Sequence, residues 1–160
     1  MKMRRFLATA AALAAVAALA VTGLGSASAG VAGARKAVTV STRSGNGLGT
    51  ILVDSRGRTL YMFVPDKQKK VTCKSTSCQA AWPPLKLTGA KAVAAGKAKQ
   101  SLLSSDPNPK GGKVVTYAHW PLYTYIGDTK PGQTSGQGLN LNGGLWYVLS
   151  PSGVVIKKKS

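Results

Sequence analysis

Apolar positions along this chain fall in short runs broken by polar, Gly- or Pro-containing stretches, a spacing that suits strands rather than helices. Ile51-Leu52-Val53, then Asp54-Ser55-Arg56-Gly57, then Thr59 to Val64 reads as strand, four-residue turn and strand. The Gly closes the turn, where a left-handed backbone angle costs least. Leu145 to Leu149, Ser150-Pro151-Ser152-Gly153 and Val154 to Ile156 repeat the plan near the other end. Between them, Val114 to Tyr117 and Pro121 to Ile126 are β-branched and aromatic runs of strand character. Ala37 to Thr42 offers one optional strand inside a small, polar, basic lead-in. Beyond the N-terminus no helical period is sustained: Gly89 to Leu103 comes nearest, but Gly96 interrupts it and a loop with a partial turn fits equally well. These patterns predict an all-β domain, a small antiparallel sandwich or partly open barrel.

The N-terminus departs from this pattern. Lys2, Arg4 and Arg5 precede Phe6 to Leu24, a nearly unbroken Ala/Leu/Val run, and Gly25-Ser26-Ala27-Ser28-Ala29 follows. Small residues at Ala27 and Ala29 mark residues 1–29 as a signal peptide cleaved before Gly30. The alternative, a retained anchor, has the length, since about nineteen residues can cross a bilayer, but the run is Ala-dominated and no basic stop follows it. No cysteine lies near the cleavage site to form a lipobox, so the expected product is secreted, free or held at the cell wall by charge, with no stable membrane span after cleavage. The expected layout is a flexible basic lead-in over 30–49 and a single β domain over 50–160. Within that domain one repeat covers about 50–87, a linker about 88–112, a second repeat about 113–156 and a basic tail 157–160.

The two repeats are visible residue by residue. Leu60-Tyr61-Met62-Phe63-Val64-Pro65-Asp66 recurs as Leu122-Tyr123-Thr124-Tyr125-Ile126-Gly127-Asp128, each position shifted by 62. On an extended backbone the two aromatics of each copy share one face and Leu60, Met62 and Val64 the other, so both faces read as buried. Each Asp follows its strand, where its carboxylate can accept amide hydrogen bonds from the turn it starts. Trp82 and Trp146 follow those Asp residues at spacings of 16 and 18. Aromatic pair, Asp and Trp in one order, twice, predicts a duplicated unit with an approximate internal twofold.

The motif Tyr-x-aromatic-x-x-Asp, the string Cys73-x4-Cys78-x3-Trp82-Pro83-Pro84-Leu85, the string Trp120-Pro121-Leu122-Tyr123 and the Gly-rich run into Gly144-Leu145-Trp146-Tyr147 together resemble the bacterial proteins known as a secreted repeat of unknown function. Those proteins are also described as predicted lipoproteins with a Y-x-[FWY]-x-x-D motif. The resemblance covers roughly Thr50 to Ile156 and implies an exported, envelope-associated protein without an assigned activity. The missing lipobox cysteine is the departure from that pattern.

Composition restricts the chemistry. Lys and Arg number 22 against 4 Asp and no Glu, a net charge of +18, and His119 is the single histidine. Acid–base catalysis therefore has few groups to draw on. Asp66 and Asp128 are the one carboxylate pair the repeat could assemble, for glycoside chemistry, against a plain turn-capping role. Gly132-Gln133-Thr134-Ser135-Gly136 places Thr134 where a nucleophile elbow needs Ser, and neither a dinucleotide nor a phosphate loop is present. No catalytic residue, cofactor or resident metal is assigned, and the balance leans away from an enzyme. Cys73 and Cys78, in an exported chain, read as a disulfide; the alternative is a small redox or metal-handling site joining them with His119 or Met62. The motif and binding candidates are Tyr61, Phe63, Asp66, Trp82, His119, Trp120, Tyr123, Tyr125, Asp128 and Trp146. Most should fill the core, with His119 and Trp120 the ones expected at the surface, where aromatics can stack on sugars or bases. The dispersed Lys-rich charge points to anionic cell-wall polymers or other extracellular polyanions as partners, without sequence-specific reading of nucleic acid.

Overall fold

The computed structural model describes residues 37–67 and 70–158 of the 160-residue chain. The expected signal peptide, residues 1–29, lies outside the described residues. In chain order the elements are β1 (Thr39–Gly45), β2 (Gly49–Asp54), β3 (Tyr61–Phe63), α1 (Thr76–Ala81), β4 (Val93–Ala94), β5 (Leu103–Pro107), β6 (Lys113–Tyr117), β7 (Trp120–Pro121), β8 (Asn140–Leu141), β9 (Gly144–Leu149) and β10 (Val155–Ile156). Three open sheets result, ordered β2-β1-β4, β10-β9-β3 with β8 also on β9, and β5-β6-β7. The fold is all-β, sandwich-like and without a closed barrel among the described residues. Every pairing is antiparallel except the two-residue contact of β1 with β4, which is parallel. No helix among the described residues is long and apolar enough to cross a membrane.

The terminal hairpin forms where the pattern placed it: β9 and β10 pair antiparallel around Ser150–Gly153, with Gly153 at φ 82° and its N–H bonded to Ser150 O at 2.9 Å. The first hairpin differs. Its turn closes as expected, with Asp54 Oδ1 accepting the N–H groups of Arg56 and Arg58, each at 2.9 Å, and Gly57 at φ 77°. The returning strand, however, leaves β2 after one bridge, Val53 to Thr59, and Tyr61–Phe63 pair with β9 instead. The reason lies far along the chain: only β9 sets Phe63 opposite Trp146 and gives the rings of β3 an aromatic face to pack on. The long partner of β2 is β1, which occupies the lead-in and buries Val40 completely.

The second copy of the motif is less regular than the run Pro121–Ile126 suggested. Strand geometry ends at Pro121, and Leu122, Tyr123 and Thr124 donate to three separate partners, Val115 O, Tyr61 O and Pro83 O. The polar stretch between Asp66 and Trp82, expected as a loop, contains α1. Ser75 caps this single-turn helix, its Oγ accepting the Cys78 N–H at 3.1 Å. The segment Gly89–Leu103 holds β4 and a 3₁₀ turn at Gln100–Leu102 and ends on the first residue of β5.

Shifting the hairpin β1–β2 by 62 residues lands on the hairpin β5–β6, so the duplication extends to the backbone. Strand alternation then divides the interior in two. Ile51, Tyr61, Phe63, Trp146 and Val148 enter an aromatic cluster with Trp82, Tyr123 and the two cysteines. Leu52, Leu60, Met62 and Leu149 enter an aliphatic one with Val115, Tyr117 and Leu122. As the sequence required, both faces of the first motif strand are buried, although Val64 falls past its end and is 41% exposed.

Cys73 and Cys78 form a disulfide, buried against the aromatic cluster. It ties the chain just before α1 to the middle of that helix. Opening so short a loop should cost about 2 kcal/mol of stability in the chain-entropy model, read as a lower unfolding midpoint for the reduced protein or for Cys73→Ser/Cys78→Ser.

Candidate functional site

The twofold relating the repeats passes between Tyr61 and Tyr123. Tyr61 N donates to Tyr123 O at 2.8 Å and Tyr123 N to Tyr61 O at 2.9 Å, a reciprocal antiparallel bridge between the first residues of the two motifs. With the axis there, each tyrosine points across into the other repeat. Tyr61 Oη donates to Asp128 Oδ2 at 2.7 Å, and Tyr123 Oη donates to Asp66 Oδ2 at 2.6 Å. Each motif is thus completed by its twin: the tyrosine of one copy holds the carboxylate of the other.

The second oxygen of each carboxylate anchors the loop that follows it. Asp66 Oδ1 accepts from the N–H and the hydroxyl of Thr72, both at 2.7 Å, and Asp128 Oδ1 accepts from Ser135 N at 2.9 Å. The capping role expected for the two Asp residues is therefore real in kind but longer in reach, spanning six or seven residues rather than the immediate turn. The Gly-rich run that failed as a nucleophile elbow is the loop Asp128 holds. Gly136 must be Gly, because a Cβ there would lie 2.8 Å from Tyr61 Cζ and 2.9 Å from Trp82 Cη2, while its N–H donates to Tyr61 Oη at 3.2 Å.

Over this polar pair the aromatics stack in one row. Trp82 and Trp146 lie face to face at 3.9 Å with planes 3° apart, flanked by Tyr125 on Trp82 at 4.3 Å and Phe63 on Trp146 at 4.1 Å. Tyr61 meets Trp82, and Tyr123 meets Trp146, edge-on at 5.5 and 5.2 Å. Every contact has its mate under the twofold, so the row Tyr125–Trp82–Trp146–Phe63 alternates between repeats. Stacked and edge-on pairs each add about 0.5–1.5 kcal/mol beyond the area they bury, which makes this row a large share of what joins the halves.

Burial dominates the electrostatics. Asp66 is wholly buried and Asp128 nearly so. Loss of water pushes both carboxyls above the ordinary 3.8, opposed by the hydroxyl of Tyr123 and by Thr72 for Asp66, and by the hydroxyl of Tyr61 and by Ser135 for Asp128. Tyr61 and Tyr123 are pushed well above 10.0, again first by burial and then by the carboxylate each one faces. In all four groups the folded state therefore holds its proton more tightly than the unfolded chain. For the Asp pair, stability should rise as pH falls from their raised folded values toward 3.8; for the tyrosines it should be lost as pH climbs past 10.0. Unfolding midpoints measured from acid to alkali should show a molecule that resists acid and fails in base. Acid denaturation below neutrality with a stable alkaline form would contradict this.

A family model described as a secreted repeat of unknown function matches residues 43–86 and again 106–150, one match around each motif and its tryptophan. The chain belongs to the secreted-repeat family. No curated protein and no solved structure matches it. In this secreted-repeat protein the duplicated motif and its tryptophans are consumed inside the fold. Tyr61, Phe63, Asp66, Trp82, Tyr123, Asp128 and Trp146 are buried and Tyr125 is half-buried against them. No lone pair of Asp66 is left open to solvent, and a pair of carboxyls flanking a cleft is not what the repeat builds. His119 is exposed and Trp120 half-buried, apart from the motif core, on the β6–β7 turn. The redox or metal constellation is not brought together either: the cysteines are joined to each other in the aromatic cluster, Met62 lies in the aliphatic one, and His119 is on the surface turn. Among the described residues no three His, Cys, Asp or Glu groups converge on a metal position.

Thr72, Ser135 and Gly136 were not singled out from the sequence. For Thr72 and Ser135 the signal was present in the repeat itself: a hydroxyl residue six or seven places after each motif Asp.

Proposed function

We propose that this secreted-repeat protein is a non-enzymatic module of the bacterial envelope or exterior, with the duplicated motif as its frame and its basic surface as the part that meets anionic polymers. One observation carries the reading. Of the four acidic residues, Asp54, Asp66 and Asp128 are buried and Asp106 is half-buried, whereas every described lysine is exposed. Asp54 is further neutralised by Arg58, 2.8 Å away. The outward field is therefore almost wholly positive, and such a field gathers polyanions by counterion release without needing a fixed pocket. Dispersed lysines act as point charges, which suits a wall polymer or acidic polysaccharide better than a sequence-read nucleic acid.

Capture on an array of anionic and neutral polymers, repeated at low and high ionic strength, tests this. Binding to several polyanions should fall at least tenfold between about 50 and 200 mM salt if some three or more charges are neutralised, and Asp66→Asn should leave it unchanged in any molecule that still folds. Capture confined to a neutral polymer, or indifferent to salt, would remove the proposal.

A further inference from the structure

Outside the motif core, the strongest unexplained feature is a cleft of about 300 Å³ on the aliphatic side of the β3–β9 pair. Met62 lies buried within it, with Trp120 and Tyr147 half-buried in its lining. Val64 and Leu145, 41% and 37% exposed, and Val155 complete its apolar lining. Among the described residues Lys157 is the single charged one that reaches it, and no acidic, amide or small hydroxyl side chain lines it. A cleft of this size with a mostly apolar lining is the setting in which a small apolar group is held.

Two observations suggest the cleft is maintained rather than incidental. The turn that delivers Trp120 joins the paired residues Tyr117 and Trp120 through Ala118 and His119, both in the left-handed region at φ 48° and 68°. Two-residue turns of this kind favour Asn-Gly, so a strained Ala-His pair is tolerated here in the place of the easy one. The position is braced from β9–β10, where Gly153 leaves the space that Ala118 fills. The cleft also breaks the twofold. The shift of 62 that relates the repeats puts Arg58 in the place of Trp120, and the guanidinium of Arg58 is committed to Asp54. Molecular duplication thus supplies the core twice and this surface once.

We infer that the Trp120–Tyr147 cleft is a binding site for one acyl chain of an anionic lipid, its headgroup held at Lys157. The lining chooses this occupant. A sugar needs several polar side chains around its hydroxyls, and the cleft offers none of the carboxylates or amides that would provide them. A second copy of the chain would bring together two strongly basic molecules, so self-association on this face is opposed by charge repulsion. An apolar chain ending in a negative charge satisfies both the walls and the lysine, and indole and phenol rings beside a cation are the side chains suited to a lipid boundary. The inference goes beyond the polyanion reading and stands without it.

Calorimetric titration of the protein with dodecyl phosphate below its micelle concentration tests the site, with inorganic phosphate and dodecyltrimethylammonium as separate titrants. One equivalent of dodecyl phosphate should bind, and high salt should weaken it only a few-fold because chain burial supplies most of the affinity. Leu145→Asp and Lys157→Gln, both at exposed positions that leave the fold intact by thermal unfolding, should each weaken it about tenfold. Polyanion capture should not respond to Leu145→Asp, which separates failure of this site from failure of the surface reading. No binding of dodecyl phosphate, equal binding of inorganic phosphate or of the cationic detergent, insensitivity to Leu145→Asp, or a dimer in sedimentation that Leu145→Asp dissociates would each overturn it.

Discussion

Trp146→Ala is expected to lower the unfolding free energy by about 4–5 kcal/mol, the upper range for deleting a buried aromatic, and to leave little folded protein. Trp146 is wholly buried, stacks on Trp82 and on Phe63, and meets Tyr123 edge-on. Its loss opens a cavity on the axis between the repeats, where neither half can relax into it without disturbing the other. Its indole N–H also donates to Leu141 O at 2.9 Å, so the tip of β8 is released as well. Trp82 is as deeply buried, but its indole N–H has no hydrogen-bond partner among the described residues. Trp82→Phe should therefore cost less than Trp146→Phe by about 1 kcal/mol, the worth of one hydrogen bond. Trp120→Ala, outside this row, should cost about 1 kcal/mol or less. Chemical denaturation of the four variants gives the order directly, and equal losses at Trp120 and Trp146 would mean that the stacked row does not join the halves.

The second large effect is expected from a single oxygen. Tyr123→Phe keeps the ring and its edge-on contact with Trp146 but strips Asp66 of the hydroxyl that donates to it, leaving a fully buried carboxyl short of one donor. Such a deletion costs about 3 kcal/mol, since the carboxylate's desolvation penalty remains and its compensation is gone. Tyr61→Phe should cost a similar amount: Asp128 retains slight exposure and can recruit water, but the Gly136 N–H loses its acceptor as well. Part of the loss should return at low pH, where protonated carboxyls no longer demand the donor. A loss independent of pH would place the effect in packing instead.

Much of this was written in the sequence in a form that can be read locally. The β9–β10 hairpin announces itself through a turn ending in Gly153 between two β-branched runs. The inward and outward faces of β3 follow from alternation alone, and the disulfide follows from two cysteines in an exported chain. The differences have two causes, a partner that lies far along the chain and local elements too short or too polar to carry a period. The turn at Asp54–Gly57 is a strong local hairpin signal, yet β3 abandons β2 because the ring of Phe63 gains more from Trp146, over eighty residues on. β1 was faint because Thr, Ser and Arg surround its one deeply buried apolar residue, Val40, and its register comes from β2. α1 is too short to carry a helical period and depends on Ser75 and the disulfide.

In the candidate site, the equivalence of the two motifs was legible and their exchange was not. A repeat shows which residues correspond; it does not show whether each Tyr serves its own Asp or its twin's. That depends on where the axis falls, and the reciprocal bridge of Tyr61 with Tyr123 decides it.

The exchange is open to a direct measurement by double-mutant cycles on unfolding free energy with Tyr→Phe and Asp→Ala at both motifs. Tyr61 with Asp128 and Tyr123 with Asp66 should show coupling of about 1–3 kcal/mol, whereas Tyr61 with Asp66, neighbours in one motif, should be additive to within about 0.5 kcal/mol. Coupling concentrated within each motif, with additivity between them, would show that the two repeats close on themselves and would contradict the account.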